Sequence, residues 1–182
     1  MSDAYGTALW TLDFLFTNAV HGSGGVNLHG GGNGPGYTPI ADAHSAVTAL
    51  RPDYYGMLLF TLAGTGPLHP TMVEAGEIAL SAYAVAATDG SLNVVLVNKD
   101  ATTTAHVTVD SGAPASSATT TTLTGPSLGA TAGYALGGAE VMADGTWAPA
   151  PPATLAVAGK MITVDVRPAS ATLLHIRQET CP

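Results

Sequence analysis

Apolar residues recur at three- and four-residue spacing over the first twenty positions. Ala8, Leu12, Leu15 and Ala19, joined by Leu9 and Phe16, would form one face of an α-helix. Ser2 is a candidate N-cap for it and Gly22 a C-terminal stop. Val26 and Leu28 then read as a short buried strand at the head of the stretch GVNLHGGGNGPGYTPI, residues 25–40, which opens into a long glycine loop. A second helix is predicted to begin near Pro52, which suits a first helical position, with Asp53 at the positive end of the helix dipole. Tyr55, Leu58, Leu59 and Leu62 form its buried face, and Gly64 ends it. A short strand flanked by helices belongs to a parallel α/β sheet, yet one strand alone makes no sheet.

After Gly66-Pro67 the period changes from 3.6 to 2. The runs EIALSAYAVAA, SLNVVLVN, TAHVTVD, TTTTLTG, Ala139 to Met142, TLAVAG, MITVDV and TLLHIRQ are strand-like and separated by turn signals. Asp89-Gly90 and Asp144-Gly145 are hairpin signals between such runs. The predicted fold class is therefore mainly β. Residues 67–182 are read as an antiparallel Greek-key β-sandwich, preceded over residues 1–66 by a helix-strand-helix unit.

Composition narrows the function. The 182 residues allow one domain, or one domain and part of another. Five Lys plus Arg stand against thirteen Asp plus Glu, a net charge of -8, so no basic surface exists to neutralise phosphates, and nucleic acid is excluded as a partner. No run of about 18 apolar residues is present, which excludes a membrane-spanning helix. The single cysteine, Cys181, offers no internal disulfide or thiol-rich metal cluster.

The candidate chemistry is sparse. Gly30 and Gly32 would need a third glycine where Pro35 stands to match a dinucleotide-binding loop, and no helix opens directly afterwards. His21, His29, His44, His69, His106 and His175 are dispersed without ligand spacing, so no metal and no cofactor is expected. His29 stands apart because it follows a predicted strand, where α/β folds place their sites; lining a site and holding the loop by a backbone hydrogen bond are both open to it. Glycoside hydrolysis needs a carboxyl pair. Asp89, Asp110 and Asp144 fall at turns, where a bond to nearby backbone explains them, and Glu74, Glu77 and Glu140 fall at strand beginnings. Trp10, Tyr54 and Tyr55 read as packing aromatics within helices, and Trp147 as a hairpin-tip residue wedged between sheets or stacked on a sugar.

Taken in order, ALWTLDFLFTNAVHGSGGVNLHGGG, GYTPI and RPDYYGMLLF resemble the last part of the catalytic barrel of glycoside hydrolase family 79, the β-glucuronidase and heparanase-related retaining enzymes. LNVVLVNKD, LGGAEV and DGTWAP resemble the sandwich domain that follows it. The resemblance implies that residues 1–66 are the C-terminal remnant of a (β/α)8 barrel, with residues 25–29 as the eighth strand, and that 67–182 are the β-sandwich. It places both catalytic glutamates of the family before Met1, so no catalytic residue is assigned in this chain. What it carries over is a Gly-Tyr pair gripping the carboxylate of a glucuronide, matched by Gly36 and Tyr37, with His29 facing the same pocket. Glycine lets a backbone N–H approach an anion, and a phenol adds a donor without charge.

The resulting expectation is the C-terminal portion of a retaining glycoside hydrolase acting on β-glucuronide-type glycans, not competent alone. Its apolar surface around Leu9, Leu12, Val26, Leu28 and Leu59 would then be exposed, driving self-association or pairing with a barrel supplied by another chain. A standalone carbohydrate-binding or structural β-sandwich module is the alternative, and a start upstream of Met1 is a third. An extracellular or periplasmic location follows from the resemblance only.

Overall fold

The computed structural model describes residues 3–30 and 38–179; Ser2, Gly36 and Tyr37 lie outside them. The chain is mainly β and divides into two compact units, residues 1–60 with 123–150, and residues 61–122 with 151–182.

In the first unit, helix α1 (Gly6–Val20) and helix α2 (Pro52–Leu62) form where the 3.6 periodicity predicts them. Leu9, Leu12 and Phe16 of α1 and Tyr55 and Leu59 of α2 are buried. The helices approach closely because Gly56 has no Cβ: an added carbon would overlap the carbonyl oxygen of Ala8. Phe16 and Phe60 meet edge to face with centroids 4.7 Å apart. Beyond α1, His21 N–H donates to Thr17 O and Gly22 N–H to Ala19 O, which ends the helix at the expected glycine.

Residues 38–51 are not a loop. They form a hairpin of β1 (Ile40–Ala43) and β2 (Ala46–Leu50), turning at His44 and Ser45, and β2 bulges at Thr48 between the pairs Ala41–Ala49 and Asp42–Val47. The expected strand at 25–29 is absent. Val26 and Leu28 are half-buried, and no described strand pairs with that segment, so its backbone groups have no ladder to join. Residues 123–150, read from the sequence as part of the sandwich, belong to this first unit.

Tyr5 ties residues 123–150 to the helices. Its hydroxyl donates to Leu123 O at 3.0 Å, and its N–H donates to Ala130 O at 2.7 Å. Val141 N–H donates to the Tyr55 hydroxyl at 2.7 Å, and the Tyr134 hydroxyl donates to Leu50 O at 3.4 Å. Tyr134 packs against both Tyr5 and Tyr55.

In the second unit, β3 (Leu68–His69), β4 (Leu80–Ala86) and β5 (Leu92–Asn98) precede β6 (Ala105–Asp110) and β7 (Ala115–Thr124). The strand β8 (Ala135–Leu136) lies in the first unit and pairs with the last two residues of β7. Then β9 (Ala153–Leu155), β10 (Val157–Ala158), β11 (Met161–Val166) and β12 (Ser170–Gln178) complete the chain. One sheet runs β3-β4-β5-β12-β7, with β9 also on β7; the other runs β10-β11-β6. The two face each other across a core of Ala84, Val94, Leu96, Ile162, Val166, Leu174 and Ile176. Alternation positions β6: Ala105, Val107 and Val109 face this core while His106, Thr108 and Asp110 are exposed.

The Asp89-Gly90 hairpin forms between β4 and β5. Asp144-Gly145 is a turn, closed by Gly145 N–H to Met142 O, but Ala139–Met142 is no strand and contributes one isolated bridge, Ala139 to Leu136.

Candidate functional site

The segment singled out by the sequence leaves α1 through Ser23, whose N–H donates to Asn18 O at 3.0 Å, and runs to exposed His29 and Gly30 with Val26 and Leu28 half-buried on the way. His29 is exposed, and Gly36 and Tyr37 lie outside the described residues. The described chain resumes at Thr38, whose buried hydroxyl donates to Ile40 O at 2.9 Å.

Arg51 fixes the base of the hairpin. Its N–H donates to Pro39 O at 2.8 Å, and its Nη1 donates to Thr38 Oγ1 at 2.5 Å and Thr38 O at 3.2 Å. Its Nε stands 3.8 Å from Asp3 Oδ1. This clamp was not read from the sequence, where an arginine preceding Pro52 carries no distinguishing pattern.

Asp53 follows in the first turn of α2, where the sequence places it for the dipole, but only 8% of it is exposed and its Oδ1 has no hydrogen-bond partner. Burial raises its carboxyl pKa above the ordinary value; a bond from Thr7 and the Arg51 charge oppose that, and Asp3 adds to it. The raised folded-state pKa means that its contribution to stability is fully present below the unfolded carboxyl value and is lost as pH rises through the folded one. Asp53→Asn is therefore expected to raise Tm at pH 7 by about 2–4 °C, roughly 1 kcal/mol for a chain this long. The gain should vanish as pH falls below the ordinary carboxylate range, read by thermal melts across pH 3–8. A loss at pH 7 would mean that the helix dipole outweighs desolvation here, and a gain that persists at the acid end would mean that the carboxylate charge is not its source.

The other carboxylates do local work. Asp89 accepts from the Ser91 hydroxyl and N–H, Asp110 from Lys160 Nζ and Gly112 N–H, and Asp144 from Thr146 N–H. These bonds hold each pKa below the usual range, led by the Ser91 hydroxyl, the Lys160 ammonium and the Thr146 N–H respectively. Among the described residues no three His, Cys, Asp or Glu side chains group as metal ligands. His106 Nδ1 lies 2.7 Å from Asp165 on the exposed face of β6 and β11, and His175 Nδ1 lies 2.8 Å from Asn93 Oδ1. No described helix is long and apolar enough to cross a membrane.

The aromatics divide differently from the sequence reading. Trp147 is half-buried, with Nε1–H donating to Leu136 O at 3.0 Å, so it packs. Trp10 is 54% exposed and stacks on Phe14 with centroids 5.0 Å apart. The expected exposure of Leu9, Leu12 and Leu59 is corrected: all three are buried, leaving Trp10 and Val20 as the exposed large apolar side chains of α1.

No family model matches the chain, and no curated protein does. Solved structures share its fold. A 4-O-α-L-rhamnosyl-β-D-glucuronidase from Fusarium oxysporum 12S superposes with TM-score 0.78 at 20% identity, over 96% of this chain and 39% of that one. An α-L-arabinofuranosidase from Thermotoga maritima gives 0.65 at 16% identity, over 92% and 37%. A GH51 α-L-arabinofuranosidase from Thermotoga petrophila RKU-1 gives 0.60 at 18% identity, over 78% and 32%. The fold is thus one found in glycoside hydrolases. This chain spans less than two fifths of the length of each of these three enzymes.

Proposed function

We propose that the chain is the C-terminal portion of a retaining, family 79-like glycoside hydrolase acting on β-glucuronide-type glycans. In this reading residues 1–66 are the end of its (β/α)8 barrel and 67–182 its Greek-key sandwich domain, of which residues 123–150 pack with the barrel-end helices. The observation that supports it most is the likeness across 96% of the chain to a glucuronidase of more than twice its length. The catalytic glutamates would come from barrel strands outside this sequence, so the chain by itself hydrolyses nothing. Gly36, Tyr37 and His29 would supply one wall of the sugar pocket, the glycine N–H and the phenol binding the glucuronate carboxylate. Trp10 and Phe14 would be covered by the remaining barrel or by a second copy of this chain.

The test is to read the DNA in frame upstream of Met1 and express the longer frame. Its product is expected to hydrolyse 4-nitrophenyl β-D-glucuronide with retained anomeric configuration by NMR, while residues 1–182 do not. Tyr37→Phe in the longer product is expected to cost about tenfold in kcat/KM, the effect of one charge-assisted hydrogen bond. Turnover of an α-L-arabinofuranoside in its place would overturn the substrate, and a stop codon directly upstream would overturn the fragment reading in favour of a standalone sandwich module.

A further inference from the structure

The strand β6 ends the three-stranded sheet, and its register against β11 runs unbroken from Ala105 opposite Val166 to Asp110 opposite Met161. Among the described residues no strand pairs with its other side. In an antiparallel ladder alternate residues turn their N–H and C=O groups outward, so such an edge is a template for another strand. Edges are normally blunted by shortness, proline, a bulge, an exposed lysine or an inward-pointing charge. The strands β3, β9 and β10, at other ladder ends of the second unit, are two or three residues long. Six residues make up β6, AHVTVD, and none of those devices is among them: there is no Pro, Gly or Lys, the register does not break, and His106 and Asp110 are both exposed. Val107, Thr108 and Val109 at its centre are strong strand formers.

This edge is complementary to itself. When two copies of one strand pair antiparallel about a two-fold axis normal to the sheet, each side chain keeps its face, and the axis passes through one residue. Centred on Thr108, the pairing sets His106 of each copy opposite Asp110 of the other on the exposed face, and Val107 opposite Val109 on the core face. Centred on His106, it sets imidazole against imidazole. Centred on Val107 it sets His106 against Thr108, and centred on Val109 it sets Asp110 against Thr108. The Thr108 register alone matches the charged groups. Each already has a partner on its own sheet: His106 Nδ1 lies 2.7 Å from Asp165 Oδ1, and Lys160 Nζ donates to Asp110 Oδ2 at 2.7 Å. Joining the edges would extend these pairs into two symmetric rows of alternating carboxylates and nitrogen donors, running Asp165, His106, Asp110 of the second copy and its Lys160.

We infer that the β6 edge is the docking surface for a second copy of this chain, paired antiparallel about Thr108 so that the two three-stranded sheets become one. The inference does not depend on the glycoside hydrolase reading. It concerns the second unit, and its surface is separate from the Trp10 and Phe14 face of α1.

Sedimentation velocity of residues 1–182 between about 5 and 500 μM is expected to show a reversible monomer–dimer exchange of the weak class that a small interface supports. Thr108→Lys sets like charges opposite each other at the axis and should leave a monomer across that range, with its melting temperature unchanged because Thr108 is exposed. His106→Glu, which turns two opposed pairs into like-charge pairs, should weaken association about tenfold, whereas His106→Lys should keep it within about twofold. Register is read separately in a Cys181→Ser background. There Thr108→Cys places two thiols at the axis with Cα atoms about 4.5–5.5 Å apart, a separation that a disulfide spans, and should oxidise to a linked dimer. Thr163→Cys, one strand inward, should not. A monomer at every concentration overturns the inference. So does a dimer that survives Thr108→Lys, which would belong to another surface such as the Trp10 and Phe14 face. Equal loss in His106→Glu and His106→Lys, or no disulfide in Thr108→Cys, overturns the register and with it the complementarity that selects a second copy. A longer-frame product that stays monomeric while residues 1–182 dimerise would give the edge to a strand of its own chain, and overturns the second copy as its partner.

Discussion

Gly56→Ala is expected to destabilise the chain by about 3 kcal/mol or more, a fall in Tm of roughly 6–12 °C for a chain of this length. Helix propensity argues the other way, because alanine in a helix interior gains about 1 kcal/mol over glycine. Packing decides the sign. The new carbon would overlap Ala8 O and lie 3.1 Å from Thr11 Cβ. Ala8 O belongs to the backbone of α1 and cannot move without the helix, so the two helices must part. Parting them exposes Leu9, Leu12 and Leu59, none more than 1% exposed now, a cost that hydrating the unpartnered Thr11 hydroxyl offsets only in part. Gly24→Ala is the control, since nothing lies within 4 Å of its added carbon. Urea unfolding followed by helix circular dichroism should separate the two variants clearly. Equal midpoints for Gly56→Ala and wild type would mean that the helices do not cross at Gly56.

What the sequence made legible follows how local the cause is. Both helices were readable because each buries one face at 3.6-residue spacing and begins or ends on a residue with a backbone reason, Pro52 at one start and Gly22 at one stop. The strands β4, β5, β6, β11 and β12 were readable from apolar alternation or continuous apolar runs bounded by turns. The hairpin at 40–50 was not, because its tip is His44-Ser45 instead of a glycine pair and AVTAL is too weakly patterned to declare itself. Residues 123–150 were placed with the sandwich because short apolar runs do not name their partners. Their attachment depends on bonds 84 to 118 residues apart in sequence, Tyr134 to Leu50, Val141 to Tyr55 and Tyr5 to Leu123. The strand at 25–29 was predicted from Val26 and Leu28 alone, and a strand's existence depends on neighbours that two residues cannot supply.

The site was less legible than the fold. Gly36 and Tyr37 came from resemblance, since the chemistry of a Gly-Tyr pair is too common to identify a pocket, and His29 was singled out first by its place after a predicted strand at 25–29 that does not form. Arg51 and Asp53 gave signals with ordinary explanations, a polar residue before a proline and an acid in a first helical turn. Only burial showed that one clamps the hairpin and the other carries an unsatisfied oxygen.

Tyr5→Ala is expected to cost about 3–5 kcal/mol, the range for emptying a large aromatic site in a core, and so to leave the first unit largely unfolded at 37 °C. Three interactions involve its side chain. Its ring fills the space that Gly125 leaves: a carbon added at Gly125 would lie 2.5 Å from Tyr5 Cγ. The ring also stacks on Tyr134 at 6.4 Å with planes 17° apart, and the buried hydroxyl donates to Leu123 O. Desolvation raises the phenol pKa well above its ordinary value, so the hydroxyl remains a donor throughout the stable pH range. Tyr5→Phe separates these terms. It keeps the ring and removes the bond, leaving a buried carbonyl short of one partner at about 1–2 kcal/mol. Gly125→Ala should approach the Tyr5→Ala cost from the other side, since it adds volume where the ring already sits. Because residues 123–150 reach the helices through Tyr5, Tyr55 and Tyr134, Tyr5→Ala should also increase proteolysis between residues 125 and 150 before the sandwich core of Leu174 and Ile176 is cut. Limited thermolysin digestion with mass mapping reads this, since residues 125–150 hold no Lys or Arg for trypsin to cut. Simultaneous cleavage of both regions would show that Tyr5 supports the whole chain cooperatively and not the attachment of this segment.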